Sequence, residues 1–213
     1  MVWVGWVGAG AVRSLVKNLK KEKLMLSRWT NSPLLLSTIK TGGEGDCLFH
    51  SIAHILRVWL APQKVTMENV REELALSLIP QNIRAFIDGV REEHKTFLPS
   101  GAIDWNELKF HDDCESASKQ AAALVARSGC TYQGTDKDIE AIVKSSFFTR
   151  ESVGIVAFSV HGPGYTSIFP DANSREHYIC IYCTGAHWQA VSILKSCRSV
   201  LFRDELLALR HLM

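Results

Sequence analysis

The feature that most constrains this chain is a change of hydrophobic period part-way along it. From Cys47 to Ser145 apolar residues recur at helical spacing, whereas from Val153 to Ile193 they gather in short β-rich runs. Leu48, Ile52, Ile55, Leu56 and Trp59 line one face of a helix that Pro62 closes. Thr66 is placed to cap a second helix, with Val70, Leu74 and Leu78 on one face and Pro80 at its end. Further helices are predicted over Ile83 to Phe97, Ser116 to Ala126 and Asp136 to Ser145. Strands are predicted at Val153 to Phe158, His177 to Cys183 and His187 to Ile193, the last two joined across Thr184-Gly185-Ala186. Leu34 to Ile39 is a further short apolar run, and Arg203 to His211 reads as a short amphipathic helix. Helices first and then strands joined by short turns imply an α+β domain with a small, mostly antiparallel sheet flanked by helices.

At 213 residues one domain is the default, here taken as 31–213, preceded by an arm over 1–30. The arm is apolar to Val12 and then basic, with no acidic residue before Glu22. About a dozen apolar residues are too few to span a bilayer, which takes roughly 20. Positive charge after the apolar run does not fit a secretory signal, so the arm is either a transit or membrane-surface segment or packs on a protein surface. A formal net charge of +2 supplies no broad field for nucleic acid, and no nucleic-acid partner is expected. Six scattered cysteines in a chain of this size point to a reducing compartment, hence a cytoplasmic location unless the arm directs the chain to a membrane or organelle.

Cys47 follows the glycine-rich turn Gly42-Gly43-Glu44-Gly45-Asp46 and opens a helix. Free N–H groups and the positive dipole end of a helix favour a thiolate, so this position can lower a cysteine pKa. The same turn can aim N–H groups at a developing oxyanion. The competing reading is a small buried side chain on a helix face. A nucleophilic cysteine needs a base, and His187, at the start of a strand after a Gly-containing turn, is the best placed of the eight histidines. His50 lies one turn along the Cys47 helix, in a packing or substrate-side position. Cys180 and Cys183 form a CxxC without a second pair for zinc, and as strand residues their sulfurs fall on opposite faces. Asp112, Asp113 and Glu115 read as the acidic first turn of a helix rather than as metal ligands. Asp104 and Trp105, near Glu107, begin a surface helix or anchor a loop.

Three ordered blocks carry a family resemblance. Gly43-Glu44-Gly45-Asp46-Cys47-Leu48-Phe49-His50-Ser51-Ile52 resembles the nucleophile motif of the ovarian-tumour (OTU) cysteine proteases, D-G-N-C-L-F-x-(S/A)-(I/L/V). His187-Trp188-Gln189-Ala190-Val191 is similar to that family's C-terminal histidine motif, and Tyr132-Gln133-Gly134 to Ala141 to its W-G-(G/D)-x-x-(D/E)-(I/L)-x-A stretch. The resemblance implies a papain-like OTU fold and a thiol hydrolase acting at the C-terminus of ubiquitin or a ubiquitin-like modifier, without a cofactor or metal. It implies Cys47 as nucleophile, His187 as base, and the loop of Glu44, Gly45 and Asp46 as oxyanion hole. Trp188 then either walls a channel for the modifier's diglycine tail or fills the core, and His50 lies beside that channel.

Two positions depart from the pattern. The motif's Asp and Asn are Glu44 and Asp46 here, a change that backbone N–H groups tolerate. The Asn or Asp that orients the imidazole is replaced by Gln189, which has a carbonyl acceptor but no charge and one more methylene. The site is therefore a Cys47-His187-Gln189 triad, a dyad, or a triad completed elsewhere. Two alternatives follow: a catalytically silent relative that binds ubiquitin, or a viral or pathogen OTU protease that processes a polyprotein.

Overall fold

The computed structural model of the chain describes residues 36–42, 45–59, 65–97, 108–127, 132–159, 166–185, 187–193 and 200–210. The arm over 1–30, Glu44 and the Asp104–Glu107 segment lie outside the described residues. The change of period in the sequence is the change of layer in the molecule. Strand β1 (Leu36–Ile39) leads into helices α1 (Cys47–Trp59), α2 (Met67–Ser77), α3 (Ile83–Phe97), α4 (Cys114–Val125), α5 (Asp136–Ile142) and α6 (Ser146–Arg150). Strands β2 (Val153–Ser159), β3 (Ser167–Phe169), β4 (His177–Cys183), β5 (Trp188–Ile193) and β6 (Val200–Phe202) follow, and α7 (Arg203–Arg210) comes last.

Caps fix where the helices begin. Thr66 caps α2 in a reciprocal box: its hydroxyl accepts the Asn69 N–H at 3.3 Å while Asn69 Oδ1 accepts the Thr66 N–H at 3.0 Å. Asp113 caps α4 by accepting the Ser116 N–H at 2.7 Å, so α4 begins at Cys114, two residues before the expected start. The helix expected over Asp136 to Ser145 stops at Ile142, where the backbone tightens to bonds from Lys144 to Ala141 and from Ser145 to Ile142. The chain then restarts as the five-residue α6. Among the described residues no helix is long and apolar enough to cross a membrane.

The sheet order is β1-β5-β4-β2-β3, with β6 also paired to β4. Four of the five ladders among the described residues are antiparallel, and β2 pairs with β4 in parallel, Val153 opposite His177 through Ser159 opposite Cys183. The excursion from β2 through β3 returns the chain to β4 in the β2 direction, which is why this pair alone is parallel. β5 and β6 share one edge of β4, β5 on Ile181 to Cys183 and β6 on His177 to Ile179.

Alternation along β4 divides the apolar interior in two. Ile179 and Ile181 join the larger core with α1, α2, α3, α4 and α5, and Cys183 packs at its margin. Tyr178, Cys180 and Tyr182 face a smaller core closed by Leu201 and by Leu206 of α7. The two sulfurs of the CxxC thus lie on opposite faces of the sheet, as the strand period requires.

Candidate active site

The site starts from the turn before α1. Gly45 has φ 90°, a conformation that favours glycine, and it turns the chain into the helix. The Asp46 carbonyl accepts the His50 N–H at 2.9 Å, so Cys47 opens the first turn of α1. Ser51 donates to the Cys47 carbonyl at 2.7 Å, and its hydroxyl also pairs with that of Thr41 at 2.7 Å, tying the end of the β1 segment to the helix.

The Cys47 side chain is only 4% exposed, and its sulfur accepts the backbone N–H of Trp188 at 3.4 Å. The register explains this contact. Ile39 opposite Ala190 is the last pairing of β1 with β5, and Trp188 lies two residues past it. Its N–H has run beyond the end of β1 and meets the sulfur instead. Residues 141 apart in sequence are thereby joined, and Trp188 is the neighbour of His187.

The electrostatics correct one expectation. A helix start was expected to lower the Cys47 pKa, yet burial pushes the thiol up. The N–H groups of Trp188, Leu48 and Cys47 itself pull it back down, and the Asp46 charge adds a smaller upward push. These N–H groups offset the desolvation only in part, so the thiol lies above its ordinary value.

His187 is exposed and stands just before β5. Its carbonyl accepts from the Thr184 N–H at 2.8 Å and from the Thr184 hydroxyl at 3.2 Å, which closes the β4–β5 turn over Gly185 (φ 99°). Gln189 is half-buried and lies opposite Tyr182 in the β4–β5 ladder. Among the described residues no hydrogen bond joins the His187 ring to Cys47 or to Gln189.

Trp188, given two readings above, is 8% exposed and packs in the larger core, where its indole N–H donates to the Gly134 carbonyl at 3.0 Å. That commits the ring to the interior rather than to an open channel wall. His50 packs against Gly42, where an added Cβ would lie 2.4 Å from the ring.

One residue escaped the sequence reading. Arg71 of α2 is fully buried, 0% exposed. Its Nε donates to Asp46 Oδ1 at 2.8 Å and its Nη2 bonds the same oxygen. Nη1 donates to the Val125 carbonyl at 2.7 Å and Nη2 to the Tyr132 carbonyl at 3.2 Å. Phe49 stacks beneath the guanidinium with its ring centre 4.0 Å from Cζ. The available signal was position: Met67, Val70, Arg71 and Leu74 share one buried stripe, so a charge stood where an apolar residue belongs.

No protein-family model and no curated protein matches the chain. Among solved structures, an ovarian tumour (OTU) domain in complex with ubiquitin superposes with a TM-score of 0.53 at 14% identity, covering 85% of this chain and 87% of that one. The chain has the OTU fold. An OTU deubiquitinase from Wolbachia pipientis wMel matches at TM-score 0.44 and 12% identity, covering 80% of this chain and 90% of that one. The viral OTU domain protease from Farallon virus matches at 0.43 and 12%, covering 75% and 85%. The α+β OTU architecture expected above, with a mostly antiparallel sheet, is thus the one observed.

Proposed function

We propose that this OTU-fold chain is a thiol hydrolase that cleaves the isopeptide or peptide bond at the C-terminus of ubiquitin or a ubiquitin-like modifier. The observation that carries the reading is the seat of Cys47: a sulfur at a helix start, held by the β5 backbone one residue from a histidine, within the OTU fold. The solved OTU domain bound to ubiquitin supports the substrate class.

His187 serves as the general base that takes the Cys47 proton. The sulfur forms a bond to the carbonyl carbon as its proton passes to His187. N–H groups of the loop of Glu44, Gly45 and Asp46, with that of Cys47, hold the oxyanion. The C–N bond then breaks, the amine leaves with the proton from His187, and water hydrolyses the thioester to release the modifier and restore the thiol. We assign Gln189 the orienting role that the OTU motif gives to an Asn or Asp two residues after its histidine.

The test is covalent labelling by a ubiquitin bearing a C-terminal electrophile. Labelling is expected in the native chain and lost in Cys47→Ala and His187→Ala, and labelling that survives Cys47→Ala defeats the assignment. One observation favours a second reading, a silent ubiquitin-binding relative: no bond from Gln189 to the His187 ring is formed among the described residues. Turnover of di-ubiquitin by the purified chain eliminates that reading, and binding without cleavage supports it.

A further inference from the structure

We infer that Arg71 is a positioning residue for Cys47, holding the sulfur against the β5 backbone through two separate arms. The inference rests on Cys47 being the nucleophile proposed above. The first arm runs from the guanidinium to Asp46, the residue before Cys47. The second runs to the Tyr132 carbonyl, along the backbone to Gly134, from the Gly134 carbonyl to the Trp188 indole at 3.0 Å, and from the Trp188 N–H to the Cys47 sulfur at 3.4 Å. The arms close into a ring: Arg71, Asp46, Cys47, Trp188, Gly134, Tyr132.

The ring is braced across its middle. A Cβ added to Gly134 would lie 2.4 Å from Leu48 Cδ2, so the 132–134 stretch also rests directly on the residue after Cys47. Stability alone does not account for such a group, because a buried ion pair is on average no better than apolar side chains of similar volume. What an arginine does that they cannot is to reach Asp46, Val125 and Tyr132 at once from a rigid planar fork. A lysine, with a single nitrogen, keeps the charge and loses that simultaneous reach.

The experiment is alkylation of the native protein by iodoacetamide across pH, with the Cys47 and Cys180 peptides quantified separately by mass spectrometry. Arg71→Lys opens the ring at the guanidinium. Trp188→Phe opens it at the indole without orphaning a charge, and decides the matter if Arg71→Lys does not fold. In each folded variant the Cys47 midpoint is expected to move to higher pH and its rate at pH 7 to fall about tenfold, as the sulfur loses an N–H that favours the thiolate. Cys180, buried on the other face of the sheet, should react no faster than before. An unchanged Cys47 profile, a faster Cys47, or Cys180 accelerating as the fold loosens would overturn the inference. Alkylation needs no modifier, so a chain without activity on ubiquitin still tests the positioning, and the two failures are distinguishable.

Discussion

The two faces of the sheet each bury a cysteine, and they treat it differently. On the smaller face Cys180 sits among Tyr178, Tyr182 and Val191, where burial pushes its thiol up to about 12 and the Glu205 charge adds to the effect. On the larger face Cys47 is less completely buried, and three backbone N–H groups also act against the desolvation. Burial by itself makes a thiol inert. The two sites differ both in depth of burial and in oriented backbone, and the buried polar contacts around Arg71 hold the backbone beside Cys47.

The comparison makes the larger face dependent on charge in a way the smaller face is not. Arg71→Met would leave Asp46 buried without its guanidinium, a loss expected to cost about 3–5 kcal/mol of unfolding free energy in urea denaturation. Adding Asp46→Asn removes the buried charge that has lost its guanidinium and is expected to recover part of that cost. A single variant within 1 kcal/mol of wild type, taken here as the rough limit for a minor effect, would mean that apolar packing alone holds the larger face.

Much of this contrast could be read before any coordinates. Helical spacing after Cys47 located α1, the bounds of α3 and β4 fell where the periodicity placed them, and strand period alone separated Cys180 from Cys183. The rest depended on partners distant in sequence. β3 and β6 are three residues each, too short for alternation to register, and they exist because β2 and β4 offer them an edge. The parallel β2–β4 pairing is fixed by the path of the chain between them, not by either strand's composition. Arg71 meets acceptors 25, 54 and 61 residues away, so only its seat in an apolar stripe hinted at a role. The motif residues Cys47 and His187 were legible, but the orientation of an exposed imidazole is a side-chain matter that no spacing encodes.

Two glycines sharpen the comparison at intermediate size, one for each face. Gly154 lies opposite Tyr178 in the parallel pair, and an added Cβ would sit 2.4 Å from the ring and 2.7 Å from the Phe169 carbonyl oxygen. The ring is fixed by its hydroxyl, which donates to the Asp171 carbonyl and accepts the Arg175 N–H, so it cannot yield easily. Gly154→Ala is therefore expected to cost about 2–3 kcal/mol. Gly134→Ala meets the far end of Leu48 first, a softer obstacle, and is expected to cost about 1 kcal/mol. Urea midpoints rank the two, and the reverse order would show that the smaller face is the more compliant.

The smallest expected effect is a pH dependence that originates beside the Arg71 ring. Burial raises Asp138 from 3.8 to about 7, and burial followed by the Glu93 charge raises Asp136 to about 6. A carboxyl whose folded pKa exceeds its unfolded value binds more protons in the native state, so its contribution is complete below about 4 and is lost as pH rises through 6 to 7. His54 runs the other way, since burial and then the Arg57 charge hold it below its ordinary value. The Thr135 N–H and the Tyr132 hydroxyl both donate to Asp138 and favour its ionised form, which limits how far burial raises it. Stability is expected to be greater at pH 5 than at pH 7.5, and Asp138→Asn should remove most of the slope. A flat profile in the native chain would mean that Asp138 is already ionised in the fold, with its donors outweighing its burial.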